Sequence, residues 1–185
     1  LYSSAASDVY KRQELRSVHQ SCPATKFILS GFSQGAVIAG DVADEIGGGQ
    51  GVVPAESIAG VALIADGRRQ NGVGQNPGRK VGGVGAEIAL QPVSGLVQPI
   101  VPGASMRGAR QNGFGSLADR TFQICAPNDS VCDAPPNVTN ALERAQGLIA
   151  ANGVHAQYAS NSGVIDGTTA NQWVVGWARQ LIDAA

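Results

Sequence analysis

The chain has 185 residues, a length that fits one domain able to bury roughly 70% of the surface its unfolded form would expose. Hydrophobic residues make up 43% and charged residues 15%, which excludes a disordered, highly charged polymer. The net charge is −1, and no like-charge run exceeds pairs such as Lys11 with Arg12 or Arg68 with Arg69, so the composition argues against nucleic acid as a partner.

Residues 1–13, LYSSAASDVYKRQ, offer no element that connects to the rest of the chain and resemble translated sequencing-adapter sequence; they are expected to be non-native or disordered, with the domain spanning 14–185. They also lack the apolar core of a secretory signal, and no apolar stretch in the chain approaches the ~20 residues of a transmembrane segment. A helix end is expected over Glu14–Gln20, stopped by Cys22 and Pro23. Lys26–Leu29 reads as a strand, and Ala36–Ile46 spaces Val37, Ile38, Val42 and Ile46 at helical intervals. GGGQG at Gly47–Gly51 ends that helix. Ile58–Ala65 is a continuous apolar run of the buried parallel-strand kind, with Asp66 at its carboxyl end. Gly67–Gly85 is glycine-rich and carries Arg68, Arg69, Arg79 and Lys80, while Ala89–Pro102 is apolar but broken by Pro92, Pro99 and Pro102. Such a stretch without periodicity reads as functional loops or a lid.

Arg120–Ile124 supplies the next strand and runs into CAPNDSVC at Cys125–Cys132. Val138–Ala151 has a helical pattern, with Thr139 or Asn140 as its cap and Gly153 as its breaker. VHAQYA at Val154–Ala159 is short and half apolar. A last helix is expected from Thr168 or Thr169 to Ala184, with Trp173, Val174, Trp177, Leu181 and Ile182 on one face. Alternating strands and helices predict an α/β domain with a mainly parallel central sheet.

Between the first strand and its helix lies GFSQG, Gly31–Gly35, in the strand, turn, helix order that a nucleophile elbow requires. Gly31 and Gly35 would leave out side chains that collide with neighbouring backbone. The Ser33 hydroxyl would then point off the sheet, and the Gln34 N–H at the helix start would face a developing oxyanion. The plainer reading makes Ser33 an N-cap. An elbow serine needs a base, and the chain has 2 histidines. His19 precedes Ser33, whereas His155 satisfies the order serine, acid, histidine found on α/β-hydrolase scaffolds. Without Ser33, a lone loop histidine is more often a surface residue.

Three aspartates, Asp66, Asp129 and Asp133, sit at or just beyond strand carboxyl ends, where open α/β sheets place their sites. Asp129 is the best placed. A disulfide between Cys125 and Cys132 would close a loop of about eight residues around it, worth ~2.5 kcal/mol in the chain-entropy model. An ordinary turn residue after Pro127 and Asn128 is the equal alternative. Cys22 is left over, which points to a free thiol or to a mate elsewhere.

GFSQGA at 31–36, CAPNDSVC at 125–132 and HAQY at 155–158 together resemble the cutinase family of serine esterases, which includes acetylxylan esterases and actinobacterial lipid esterases. The resemblance runs from about Glu14 to the end. It implies an α/β-hydrolase, cutinase-like three-layer sandwich, with the first strand or strands missing and Cys22 orphaned by truncation. It further implies Ser33 as nucleophile, His155 as base, Asp129 as orienting acid, Gln34 N–H as an oxyanion donor and a Cys125–Cys132 disulfide.

The family's amino-terminal strand and second oxyanion donor have no counterpart here, and segment 67–116 looks expanded. Losing one donor commonly lowers turnover by ~10²- to 10³-fold, so the chain as it stands is expected to turn over slowly. The activity implied is that of a secreted, monomeric serine esterase working through an acyl-enzyme, with no metal or organic cofactor. Its partner would be an ester substrate, in lipid, polyester or acetylated polysaccharide. The alternatives are a carbohydrate esterase of the acetylxylan kind and a non-catalytic secreted binding protein on the same scaffold.

Overall fold

The apolar runs read from the sequence become the strands β1 (Phe27–Phe32), β2 (Ile58–Ile64) and β3 (Thr121–Ile124). This is seen in a computed structural model of the chain, which describes residues 2–100, 106–149 and 153–184. β2 is rich in aliphatic residues and buried almost throughout, as a central parallel strand must be. The sheet order is β1-β2-β3 and both pairings are parallel, with Leu29 opposite Val61 and Ile64 opposite both Phe32 and Ile124. The ladder continues past the last strand residues, since Ser33 N–H donates to the Ile64 carbonyl at 2.8 Å and Ala65 N–H to the Ile124 carbonyl at 2.9 Å. All three carboxyl ends therefore finish at one rim.

The helices are α1 (Tyr2–Ser21), α2 (Gln34–Gly47), α3 (Ala86–Ala89), α4 (Ser94–Val97), α5 (Ala141–Ile149) and α6 (Ala170–Asp183). Because successive strand residues face opposite ways, β2 serves two cores. Val61 and Leu63 pack with Leu15 of α1, Val42 and Ile46 of α2, and Phe114 and Leu117. On the other side, Ile64 packs with Tyr158, Val164, Ile165 and the partly buried Trp173 of α6. Gly60 is the close-approach point for α6: a Cβ there would lie 2.5 Å from the Trp177 ring. The result is helix, sheet, helix, the three-layer α/β arrangement expected. Each fully buried aliphatic side chain in these layers contributes about 1.5–3 kcal/mol.

Several details differ from the sequence pattern. Residues 2–13, which offered no element, continue the helix that ends at Ser21. That stretch has no apolar stripe to read. Its Arg12 instead bonds Asp8 one turn back at 3.0 Å and pairs with Glu45 of α2, ahead of Leu15, which is 8% exposed. α5 starts at Ala141, three residues later than its pattern suggested, after Asn140 at φ 54°; Ala151, its expected end, lies outside the described residues. α6 is capped by Thr169 and Gln172 in a reciprocal capping box, and Ile182 is 65% exposed rather than part of the buried face.

Segment 67–116 holds the short helices α3 and α4 and is otherwise organised by buried arginines. Arg110 donates to Asp66 at 2.6 and 3.1 Å, to Asp41 at 2.9 Å and to the Val37 carbonyl at 3.1 Å. Burial lowers the proton affinity of its guanidinium, but the two carboxylates outweigh this and hold it above its usual value. Arg68 and Arg107 also reach Asp41, at 2.8 and 2.7 Å. Arg69 bonds the Cys132 carbonyl at 2.8 Å and the Gly83 carbonyl, tying the segment to the loop after β3. Val97 of α4 is buried with Leu90, Met106 and Ala145 of α5, whereas Leu96 is exposed; Val101 and Pro102 lie outside the described residues. Among the described residues no helix is long and apolar enough to cross a membrane.

Candidate active site

Ser33 sits where β1 turns into α2, with φ 54° and ψ −121°. A non-glycine residue at positive φ stores backbone strain of about 1–3 kcal/mol, and the parallel ladder on one side and α2 on the other hold it in place. Gly31 is obligatory for this turn: a Cβ there would overlap the Gly35 carbonyl and lie 2.6 Å from the Ala36 nitrogen. Gly35 is not, because a Cβ there would meet no atom within 4 Å. The expectation that both glycines avoid collisions is corrected to Gly31 alone, since Gly35 faces open space. Gln34 opens α2, so its N–H is one of the first-turn donors without an intrahelical acceptor and lies at the positive end of the helix dipole.

β3 delivers the second part of the rim. The chain leaves Ile124 through Cys125–Ala126, reaches Asn128 at φ 64°, a conformation asparagine tolerates, and places Asp129 with no exposure at all. Cys125 and Cys132 are joined as a disulfide that closes this loop. The Asp129 carboxylate accepts hydrogen bonds from Val131 N–H at 2.9 Å and the Tyr158 hydroxyl at 2.7 Å, and lies 3.0 Å from His155 Nδ1. Burial pushes its proton affinity up, but the bonds from His155, Val131 and Tyr158 outweigh that and hold the carboxyl below the usual range.

His155 begins a short 3-10 turn, His155–Gln157. Its Nε2 lies 2.9 Å from the Ser33 hydroxyl. Since Nδ1 faces a carboxylate, it carries the proton, and Nε2 is left to accept from the serine. The ring stacks on Phe32, centroids 5.0 Å apart at 28°. Ser33, His155 and Asp129 thus form one unbroken line of hydrogen bonds across the carboxyl rim.

The other candidates lie elsewhere. Asp66 is committed to Arg110. Asp133 accepts from the Gly83 and Asn128 amides at 2.7 and 2.9 Å, which shapes the loop. His19 is on α1, 3.4 Å from the Ser57 hydroxyl. Cys22 is an exposed free thiol. Among the described residues no group of three or more His, Cys, Asp or Glu is arranged to hold a metal ion. Sequence reasoning gave no role to Phe32 or Tyr158. The spacing of Tyr158, three residues beyond His155 on a tight turn, was the available signal, since a buried tyrosine hydroxyl needs a partner.

A parallel sheet between two helical layers, with an elbow serine at its carboxyl rim, defines an α/β-hydrolase-type chain. The sequence model of the cutinase family matches residues 3–176, and the chain belongs to that family. Over 171 residues it is 66% identical to the "Carboxylesterase Culp6 homolog" of Corynebacterium glutamicum, an alignment covering 92% of this chain and 55% of that protein. It is also 29% identical over 137 residues to the "Probable carboxylesterase Culp7" of Mycobacterium tuberculosis, covering 73% of this chain and 62% of that protein. The chain therefore spans somewhat more than half the length of these curated relatives.

Proposed function

We propose that the chain carries the catalytic machinery of a serine carboxylesterase, with Ser33 as nucleophile, His155 as general base and Asp129 as the orienting acid. The observation that carries this reading is the Ser33–His155–Asp129 line, at 2.9 and 3.0 Å. Its order along the chain is that of α/β-hydrolases. In the attack step His155 Nε2 takes the Ser33 proton as the hydroxyl oxygen bonds the ester carbonyl carbon. The tetrahedral oxyanion is met by Gln34 N–H, and the imidazolium formed is stabilised by Asp129. His155 then returns the proton to the leaving alcohol, and water, activated by the same nitrogen, hydrolyses the acyl-enzyme.

The carboxylesterase names of both relatives favour carboxylic esters. Phe32, 46% exposed beside Ser33, offers an apolar contact for the acyl chain of a lipid or polyester substrate. A disulfide next to the site fits an oxidising compartment, hence secretion. The test is pre-steady-state hydrolysis of p-nitrophenyl butyrate. The reading predicts p-nitrophenol release by the wild type that is lost in Ser33→Ala, with a burst approaching one equivalent where deacylation is the slower step; equal hydrolysis by both proteins refutes it.

A further inference from the structure

We infer that Tyr158 is a positioning residue for the proposed reaction: its hydroxyl fixes the rotation of the Asp129 carboxylate and, through it, the His155 ring. The inference rests on the serine esterase reading above. Tyr158 is 3% exposed. Its oxygen accepts from Ala126 N–H at 2.8 Å and donates to Asp129 Oδ2 at 2.7 Å, so both ends of the hydroxyl dipole are committed and the O–H direction is fixed. It also lies 3.3 Å from Cys132 Sγ, a disulfide sulfur that carries no proton. Val131 N–H bonds Oδ1 at 2.9 Å, and the tyrosine bonds Oδ2. With one donor on each oxygen, the carboxylate plane is set, and His155 Nδ1 sits 3.1 and 3.0 Å from the two oxygens.

The same residues fix the tyrosine. It follows His155 by three positions and caps the 3-10 turn in helical conformation, a spacing that brings side chains onto one face. Phe32 meets both rings, stacked on His155 and edge-on to Tyr158 at 5.7 Å. Burial, reinforced by Asp129, holds the phenol proton on well above the usual range, so the hydroxyl donates to the carboxylate at every working pH. The nearby charged groups are otherwise engaged: Arg69 on the Cys132 and Gly83 carbonyls and Asp133 on the Gly83 and Asn128 amides. A positioning role predicts two effects of removing the hydroxyl. The carboxylate gains rotational freedom, which lowers kcat, and it loses a donor, which makes it hold the protonated imidazole more tightly.

The test is the pH profile of kcat/KM for Tyr158→Phe and for protein in which all tyrosines are replaced by 3-fluorotyrosine. The phenylalanine variant should show kcat about tenfold lower, the loss of one charge-assisted hydrogen bond, with KM little changed and the acid limb moved to higher pH. The fluorinated phenol, a stronger donor of unchanged shape, should move the limb the opposite way. Limbs that stay put in both proteins overturn the inference, even if melting temperature falls, because a packing role alone would leave them unmoved. If Tyr158→Phe does not fold, the fluorotyrosine arm decides. Wild-type protein in which phosphonate fails to label Ser33 would instead sink the underlying esterase reading, so the two failures are distinguishable.

Discussion

Replacing Asp129 with asparagine keeps the shape of the side chain but removes its negative charge and alters its hydrogen-bonding capacity. The native carboxylate receives three donors: His155 Nδ1 at 3.0 Å, Val131 N–H at 2.9 Å and Tyr158 O–H at 2.7 Å. An amide has one acceptor oxygen and two N–H groups. If the amide nitrogen takes the Oδ2 position, beside His155 and the Tyr158 hydroxyl, and donates to the ring, Nδ1 must be the acceptor, and its proton moves to Nε2, opposite Ser33. The base is then lost. If the nitrogen takes the Oδ1 position, it opposes Val131 N–H, and two N–H groups face each other in a buried site. The first arrangement predicts a kcat about 10⁴-fold lower, or ~5.4 kcal/mol in the barrier, the size seen when such a system is locked in the wrong tautomer.

Stability should fall by about 1–3 kcal/mol for a mismatched buried donor, a melting shift of roughly 2–12 °C for a chain of this length. Folding holds Asp129 below the usual carboxylate range, so its contribution is full above the unfolded pKa of about 3.9. That contribution is lost only as pH falls through the lower folded value. The stability gap between the two proteins should therefore persist near neutrality and close below pH ~4. The assays are p-nitrophenyl butyrate kinetics and thermal melts across pH. A kcat within tenfold of wild type, or a gap that widens on acidification, refutes the assignment.

The two glycines of the elbow should part company. Gly31→Ala forces backbone atoms apart and should abolish folding or activity. Gly35→Ala enters open space in the first turn of a helix and should leave stability equal or up to ~1 kcal/mol higher. Arg110→Met leaves Asp66, 1% exposed, as a buried charge without its main partner. It should cost about 3–5 kcal/mol in urea titrations; an unchanged midpoint would remove the arginine network as the organiser of segment 67–116. Cys125→Ser with Cys132→Ser opens a loop whose closure contributes ~2.5 kcal/mol. It should lower activity more than stability, because Asp129 rides on that loop. Intact kinetics in the double variant would show that the loop holds its shape unaided.

The elbow, the three strands and helices α2 and α6 were readable because local chemistry alone specifies them. Glycine at 31 permits the turn, aliphatic runs form the strands, and spaced apolar residues form α2 and α6. Ser33, Asp129 and His155 were readable as residue types in order. The meeting of Ser33 and Asp129 follows from parallel strands ending at one rim, whereas His155 arrives on the turn after α5. Segment 67–116 was opaque because its order comes from arginines pairing with carboxylates and carbonyls tens of residues away, such as Arg110 with Asp41 and Asp66, and such pairing leaves no period in the sequence. The amino-terminal part of α1 was missed for a similar reason, being tied to α2 through Arg12 and Glu45 rather than by an apolar stripe. The parts played by Phe32 and Tyr158 depend on where rings fall in space, which spacing hints at but does not determine.

The most direct measurement is covalent labelling with a fluorophosphonate, read by intact mass and peptide mapping. Wild-type protein should gain one phosphonyl group, located on Ser33. Ser33→Ala should gain none, and His155→Ala should react at least a hundredfold more slowly, as expected when a general base worth about 10²–10⁴ is removed. Absence of labelling in the folded wild type, or labelling at another serine that survives Ser33→Ala, would contradict the assignment of Ser33 as the nucleophile.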